Sequence, residues 1–104
     1  MPHITVRGID LQELREMSME LKGAVIEAAQ VKEEHVKVFW SPVCRVDAPE
    51  EVALDVYWMH RPQELCDKVA RVLTRLMKNK GRDFVQITFT EFPGSHFYEN
   101  SEHY

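Results

Sequence analysis

The sequence predicts an α/β (α+β) fold, two β-α-β units joined into one four-stranded mixed sheet with both helices on one face. Three observations carry this. Apolar residues alternate in twos, then recur at helical spacing, then alternate again, and the cycle occurs twice in 104 residues. The halves repeat: a shift of 51 lays Gln12-Glu13-Leu14 on Gln63-Glu64-Leu65, and a shift of 50 lays Ile4 and Val6 on Leu54 and Val56. The strand residues that would face away from the helices are Thr5, Arg7, Lys37, Phe39, Asp55, Tyr57, Gln86 and Thr88. That face is too mixed for a dry core and too rich in rings and β-branched residues for plain solvent. It reads as a surface between subunits, which would also cover exposed strand edges.

The elements follow in order. His3 to Arg7 (HITVR) alternates with Ile4 and Val6 on one side, a short strand. Pro2 heads it, where a strand tolerates a residue without an N–H. Asp10 with Glu13 three residues on, flanked by Ile9 and Leu14, forms a helix start signal. Leu11, Leu14, Met17, Leu21, Val25 and Ala28 give the apolar stripe of a helix over Leu11 to Ala29. His35 to Trp40 reads as the second strand, with Val36, Val38 and Trp40 on one side. Ser41 to Glu51 holds two prolines and several charges and reads as a loop. Val52 to Trp58 alternates with Val52, Leu54, Val56 and Trp58 inward. Pro62 stands at the first position of a second helix, with Arg61 as its N-cap. Lys78, Lys80 and Gly81 are stop signals. Phe84 to Thr90 is the fourth strand, and the tail EFPGSHFYENSEHY has no clear period. With the gapless shift of 51, Val36 falls on Ile87 and Val38 on Phe89. One domain spans 1–104, with repeats at about 2–40 and 52–90 and a tail at 91–104.

Composition narrows the partners. With 44% hydrophobic and 29% charged residues the class is soluble and globular. A net charge of -4 with no basic run counts against nucleic acid. No apolar stretch approaches the roughly 20 residues of a membrane span, and the N-terminus lacks the pattern of a signal peptide. The expected setting is cytoplasmic, with Cys44 and Cys66 as reduced thiols. The five histidines form no recognisable zinc pattern, so neither metal nor cofactor is expected.

Chemistry concentrates at the start of the chain. If Met1 is removed, Pro2 becomes a secondary amine, and the strand-starter and base readings are compatible. Arg61 is an independent signal. A cation at the start of a helix opposes its dipole, yet beside free helix N–H groups it makes a carboxylate site.

The opening MPHITVRGI, the repeat of about fifty residues and the ending HFYENSEHY resemble the tautomerase superfamily, which includes 4-oxalocrotonate tautomerase and macrophage migration inhibitory factor. They resemble most a bacterial branch with no assigned reaction, and the resemblance spans essentially the whole chain. It implies a homotrimer with sites between subunits. It also implies a cofactor-free tautomerase or isomerase whose N-terminal proline amine, Pro2, shuttles a proton on a small keto or enol carboxylate. HRPQEL resembles the arginine-bearing turn of that superfamily, which makes Arg61 a substrate-binding residue. Lys37 matches a strand arginine that grips substrate, although an ammonium lacks the bidentate fork. Tyr98 and Asn100 have the spacing of a C-terminal tyrosine and asparagine that complete the pocket of a neighbouring subunit. The first-helix arginine of the small tautomerases has no counterpart, because the turn here is shorter and reads GIDLQ. An alternative is therefore a non-catalytic trimer of the same fold that binds small ligands.

Overall fold

Alternation sets the sheet. In the computed structural model, which describes residues 1–103, β1 spans His3–Arg7 and buries Ile4 and Val6 completely. Tyr104, the last residue of the predicted tail, lies outside the described residues. β1 ends at Gly8, whose φ of +92° only glycine adopts readily. A Cβ there would stand 2.1 Å from the Glu51 carbonyl oxygen, so glycine lets the chain before the third strand pass close by.

Helix α1 covers Leu11–Ala29, as the sequence predicts. Asp10 caps it: its Oδ1 accepts from the Glu13 N–H at 2.8 Å. The Glu13 carboxylate does not turn back to complete the box; it pairs with Arg82 beyond the second helix. Gln30, at φ 56°, ends α1 in the left-handed region. The predicted second strand begins two residues late, because Glu33–His35 close a 3₁₀ turn, and β2 spans Lys37–Trp40. On that sheet edge Trp40 is part-exposed, and its indole N–H donates to the Ile9 carbonyl at 2.9 Å.

β3 spans Val52–Met59 and buries Val52, Leu54, Val56 and Trp58 completely. Helix α2 covers Gln63–Asn79, and here the expectation needs correction. Pro62, with ψ 148°, is the N-cap rather than the first helical residue, and its carbonyl accepts from the Leu65 and Cys66 N–H groups. Arg61 therefore precedes the cap instead of forming it. β4 spans Val85–Phe92, two residues past the predicted end, because Glu91 and Phe92 remain paired with Trp58 and Met59.

The sheet order is β2-β1-β3-β4. β1 is parallel to β2 and antiparallel to β3, and β3 is parallel to β4, so the sheet is mixed. Both helices pack together over one face, on a core that includes Leu21, Val25, Val69, Leu73 and Met77. The register also corrects the repeat. Ile4 pairs with Val38 and Leu54 with Ile87, so Val38 corresponds to Ile87, and the gapless shift of 51 fails at the last strand. Residues 30–36 join α1 to β2, whereas residues 80–84 join α2 to β4 with a shorter link.

The tail carries order the sequence does not announce. After a 3₁₀ turn at Gly94–His96, β5 (Tyr98–Glu99) and β6 (Glu102–His103) form a small hairpin. Asn100 and Ser101 turn it with φ of 54° and 71°, the doubly left-handed geometry of a two-residue hairpin loop.

Candidate functional site

The inner position of β1 brings the chain terminus to one end of the sheet, where β2 begins, α2 begins and the tail hairpin arrives. The Pro2 carbonyl accepts from the Lys37 N–H at 3.2 Å, which ties the terminus to the start of β2. Pro2 is buried, and Met1 is only 3% exposed within the apolar core. The α-amine of Met1 is lowered to about 6. Burial is the main cause, the charges of Arg61 and Lys37 add to it, and Glu99 opposes them.

His3 stands on the helix-free face beside its pairing partners Lys37 and Tyr57. Its ring meets Phe39 and Phe97 edge-on, with centroids 5.7 and 5.5 Å away. Burial, then the terminal amine and Lys37, hold the imidazole below its ordinary range. Its Nε2 is buried without a hydrogen bond to the described residues.

Arg61 leaves β3 just before α2. Its guanidinium lies 5.6 Å from the centre of the Trp58 ring, and Nη1 donates to the carbonyls of Met59 (3.2 Å) and His60 (3.1 Å). Stacking and two carbonyl tethers fix its plane. Its backbone N–H donates to Glu91 Oε2 at 2.9 Å, and that bond is the leading reason the Glu91 carboxyl sits below the usual range. Glu91 thus supplies the negative charge near the start of α2 that Arg61 does not.

Lys37 faces a carboxylate. Its Nζ lies 3.3 Å from Glu99 Oε2, both side chains about half exposed. A pair this wet contributes about 0–1 kcal/mol to stability. Beside it opens a hollow of about 560 Å³ lined by Glu34, His35, Lys37, Glu99, Asn100, Glu102 and His103.

Of the residues singled out from the sequence, Pro2, Arg61 and Lys37 gather around the terminus, and Asn100 lines the adjoining hollow. Tyr98 does not join them within the subunit: its ring packs on His103 with centroids 4.7 Å apart. Successive strand residues point to opposite sides, so β5 turns Glu99 toward Lys37 and Tyr98 away. Sequence reasoning offered Glu99 only as one of the tail's polar residues, without a role, and missed His3 as a member of the site. A signal for His3 exists, since alternation places it on the open face next to Pro2. None exists for Glu99, because a two-residue strand has no period to read.

The chain matches, over residues 1–103, the family described as a domain of unknown function, DUF1904. No curated protein matches it in sequence. Among solved structures it is similar to a DUF1904 domain from Sebaldella termitidis ATCC 33386, at 25% identity and a TM-score of 0.88 with 100% of both chains covered. A native fused 4-OT shares 13% identity and a TM-score of 0.77, over 97% of this chain and 94% of that one. A macrophage migration inhibitory factor-like protein from Entamoeba histolytica shares 12% identity and a TM-score of 0.78, over 99% and 98%. These two likenesses show the fold of the tautomerase superfamily, and by its sequence the chain belongs to the DUF1904 family.

Proposed function

We propose that the chain, once Met1 is removed, is a cofactor-independent tautomerase or isomerase in which the Pro2 amine moves a proton on a small keto or enol carboxylate. The observation that carries this reading is the convergence of Arg61 and Lys37 on a buried terminal amine held below its ordinary range. An α-amine has a reference pKa of about 7.7–8, and proline's is intrinsically more basic. The burial and cations that lower the Met1 amine would act on the Pro2 nitrogen one residue on, favouring its neutral, proton-accepting form.

In the proposed step, Arg61 holds the substrate carboxylate. The amine takes the proton from the carbon beside the carbonyl, and the C–H electron pair becomes the C=C bond of the enol. The carbonyl oxygen gains the proton, and ketonisation runs the same path backwards. A homotrimer with each terminus near a subunit boundary would exclude water from this transfer. The half-polar face of Thr5, Arg7, Lys37, Phe39, Asp55, Tyr57, Gln86 and Thr88 supports that assembly, with Phe39 and Tyr57 exposed in the single subunit. Tyr98 and Asn100 would then act on a neighbour's site.

A second reading is a non-catalytic trimer that binds a small carboxylate. The occupation of Lys37 by Glu99 favours it. Turnover separates the two. Untagged protein whose intact mass shows loss of Met1 is tested for ketonisation of an enolpyruvate-type acid. The enzyme reading expects catalysis, and a fall of about 10²–10⁴-fold when the Pro2 amine is acylated and no longer a base, with a smaller loss in Pro2→Ala, which puts a primary amine in place of the secondary one. Carboxylate-dependent thermal stabilisation without turnover supports the binding reading instead.

A further inference from the structure

The charges around the terminus do not form a simple cationic pocket. Arg61 and Lys37 are two cations, and Glu99 is an anion paired with Lys37 at 3.3 Å, both of them lining the solvent hollow. The same hollow is lined by Glu34 and Glu102, which add negative charge, and by the imidazoles of His35 and His103. Arg61 differs from Lys37 in what holds it: neutral carbonyls and a ring, with Nε and Nη2 making no hydrogen bond to the described residues. One cation therefore remains available for an incoming carboxylate, and the other already has one.

We propose that Glu99 is a specificity-determining residue that occupies Lys37 as a built-in carboxylate and restricts the site to monocarboxylate keto or enol acids. This deepens the tautomerase reading and rests on it. A monoanion places its carboxylate on Arg61 and its reacting carbon near the terminal amine. A dicarboxylate would have to displace Glu99 from Lys37 and then lie beside that displaced charge, with Glu34 and Glu102 close by. Discrimination of this kind comes from a repulsive element as much as from an attractive one. The tail hairpin is what places it: the left-handed pair Asn100–Ser101 folds the chain back so that Glu99 lies opposite Lys37.

The experiment is a calorimetric titration of the Met1-free protein and its Glu99→Gln variant with 2-oxobutyrate and with 2-oxoglutarate. Wild type is expected to bind 2-oxobutyrate more tightly. Glu99→Gln is expected to gain about threefold to fivefold for 2-oxoglutarate, the scale of one half-exposed charge pair, with a smaller change for 2-oxobutyrate. Adding Lys37→Met to Glu99→Gln should remove the gain. As a readout independent of substrate, the terminal amine of the Met1-retaining chain should titrate lower in Glu99→Gln, because Glu99 is the charge that favours its protonated form. Binding of both acids with an unchanged preference, or an amine that titrates as in wild type, overturns the role of Glu99 and leaves the tautomerase reading standing. Failure of wild type and variant to bind either acid overturns the tautomerase reading and this inference with it.

Discussion

Arg61 and Lys37 are both cations near one amine, yet their surroundings differ, carbonyls and a ring for Arg61 and a carboxylate for Lys37. Arg61 is stacked on Trp58 and tied to two carbonyls, and in the proposed function the edge of its guanidinium that makes no hydrogen bond to the described residues takes the substrate carboxylate. Arg61→Gln should reduce kcat/KM about 10–100-fold, the loss of one charge-assisted hydrogen-bonding group, and steady-state kinetics on an enolpyruvate-type acid reads this directly. Titration gives a second test at this scale. The terminal amine and His3 are both held below their ordinary pKa values in the fold. Between about 6 and 8 the unfolded chain therefore binds more protons than the folded one, and stability rises with pH across that window. Thermal melts of the Met1-retaining chain should show a lower Tm at pH 5.5 than at pH 8; a flat or inverted profile contradicts the burial of the terminus. Pro2 was legible as a candidate because proline in second place carries its chemistry in its identity. Glu99 was not, because an exposed glutamate in a tail gives no sign of facing a lysine 62 residues earlier.

At the scale of elements, period and punctuation predicted nearly every boundary set by local chemistry. Asp10 reads as a cap and is one, and Asp10→Ala should cost about 0.5–2 kcal/mol, measurable by urea denaturation. Gly8 is the corresponding test for the turn. Its positive φ and the Glu51 carbonyl leave no room for a Cβ, so Gly8→Ala should cost about 2 kcal/mol or more, the left-handed penalty plus the clash. The misplaced boundaries have tertiary causes. Pro62 satisfies the rule for a first helical residue, but its extended ψ and the bonds to its carbonyl make it the cap. β4 runs past its apolar alternation because β3 continues to pair with it through Glu91 and Phe92. The tail hairpin depends on two left-handed residues and on contacts across the sheet end, neither of which leaves a periodic trace.

For the whole molecule, the two β-α-β units account for both the fold and the position of the candidate site. Two β-α-β units related about the β1–β3 boundary give a sheet covered by helices on one side only. The strand that begins the chain is thereby an inner strand, and its first residues are buried at a sheet end rather than left in solvent. Composition and repeat were enough to read this architecture, because they depend on many residues at once. The site depends on a few long-range approaches, and only those with an unusual residue type were visible. The open face, with Phe39 and Tyr57 exposed, leads to an expected homotrimer in native mass spectrometry; a monomer at micromolar concentration would remove the boundary at which the proposed sites complete themselves. The most direct test of the central claim compares one sequence in two processing states. Met1-free and Met1-retaining protein, each verified by intact mass, are assayed side by side for ketonisation of an enolpyruvate-type acid. Catalysis confined to the Met1-free form, where the Pro2 nitrogen is an amine rather than an amide, is the predicted result; equal rates from both forms, or none from either, would contradict it.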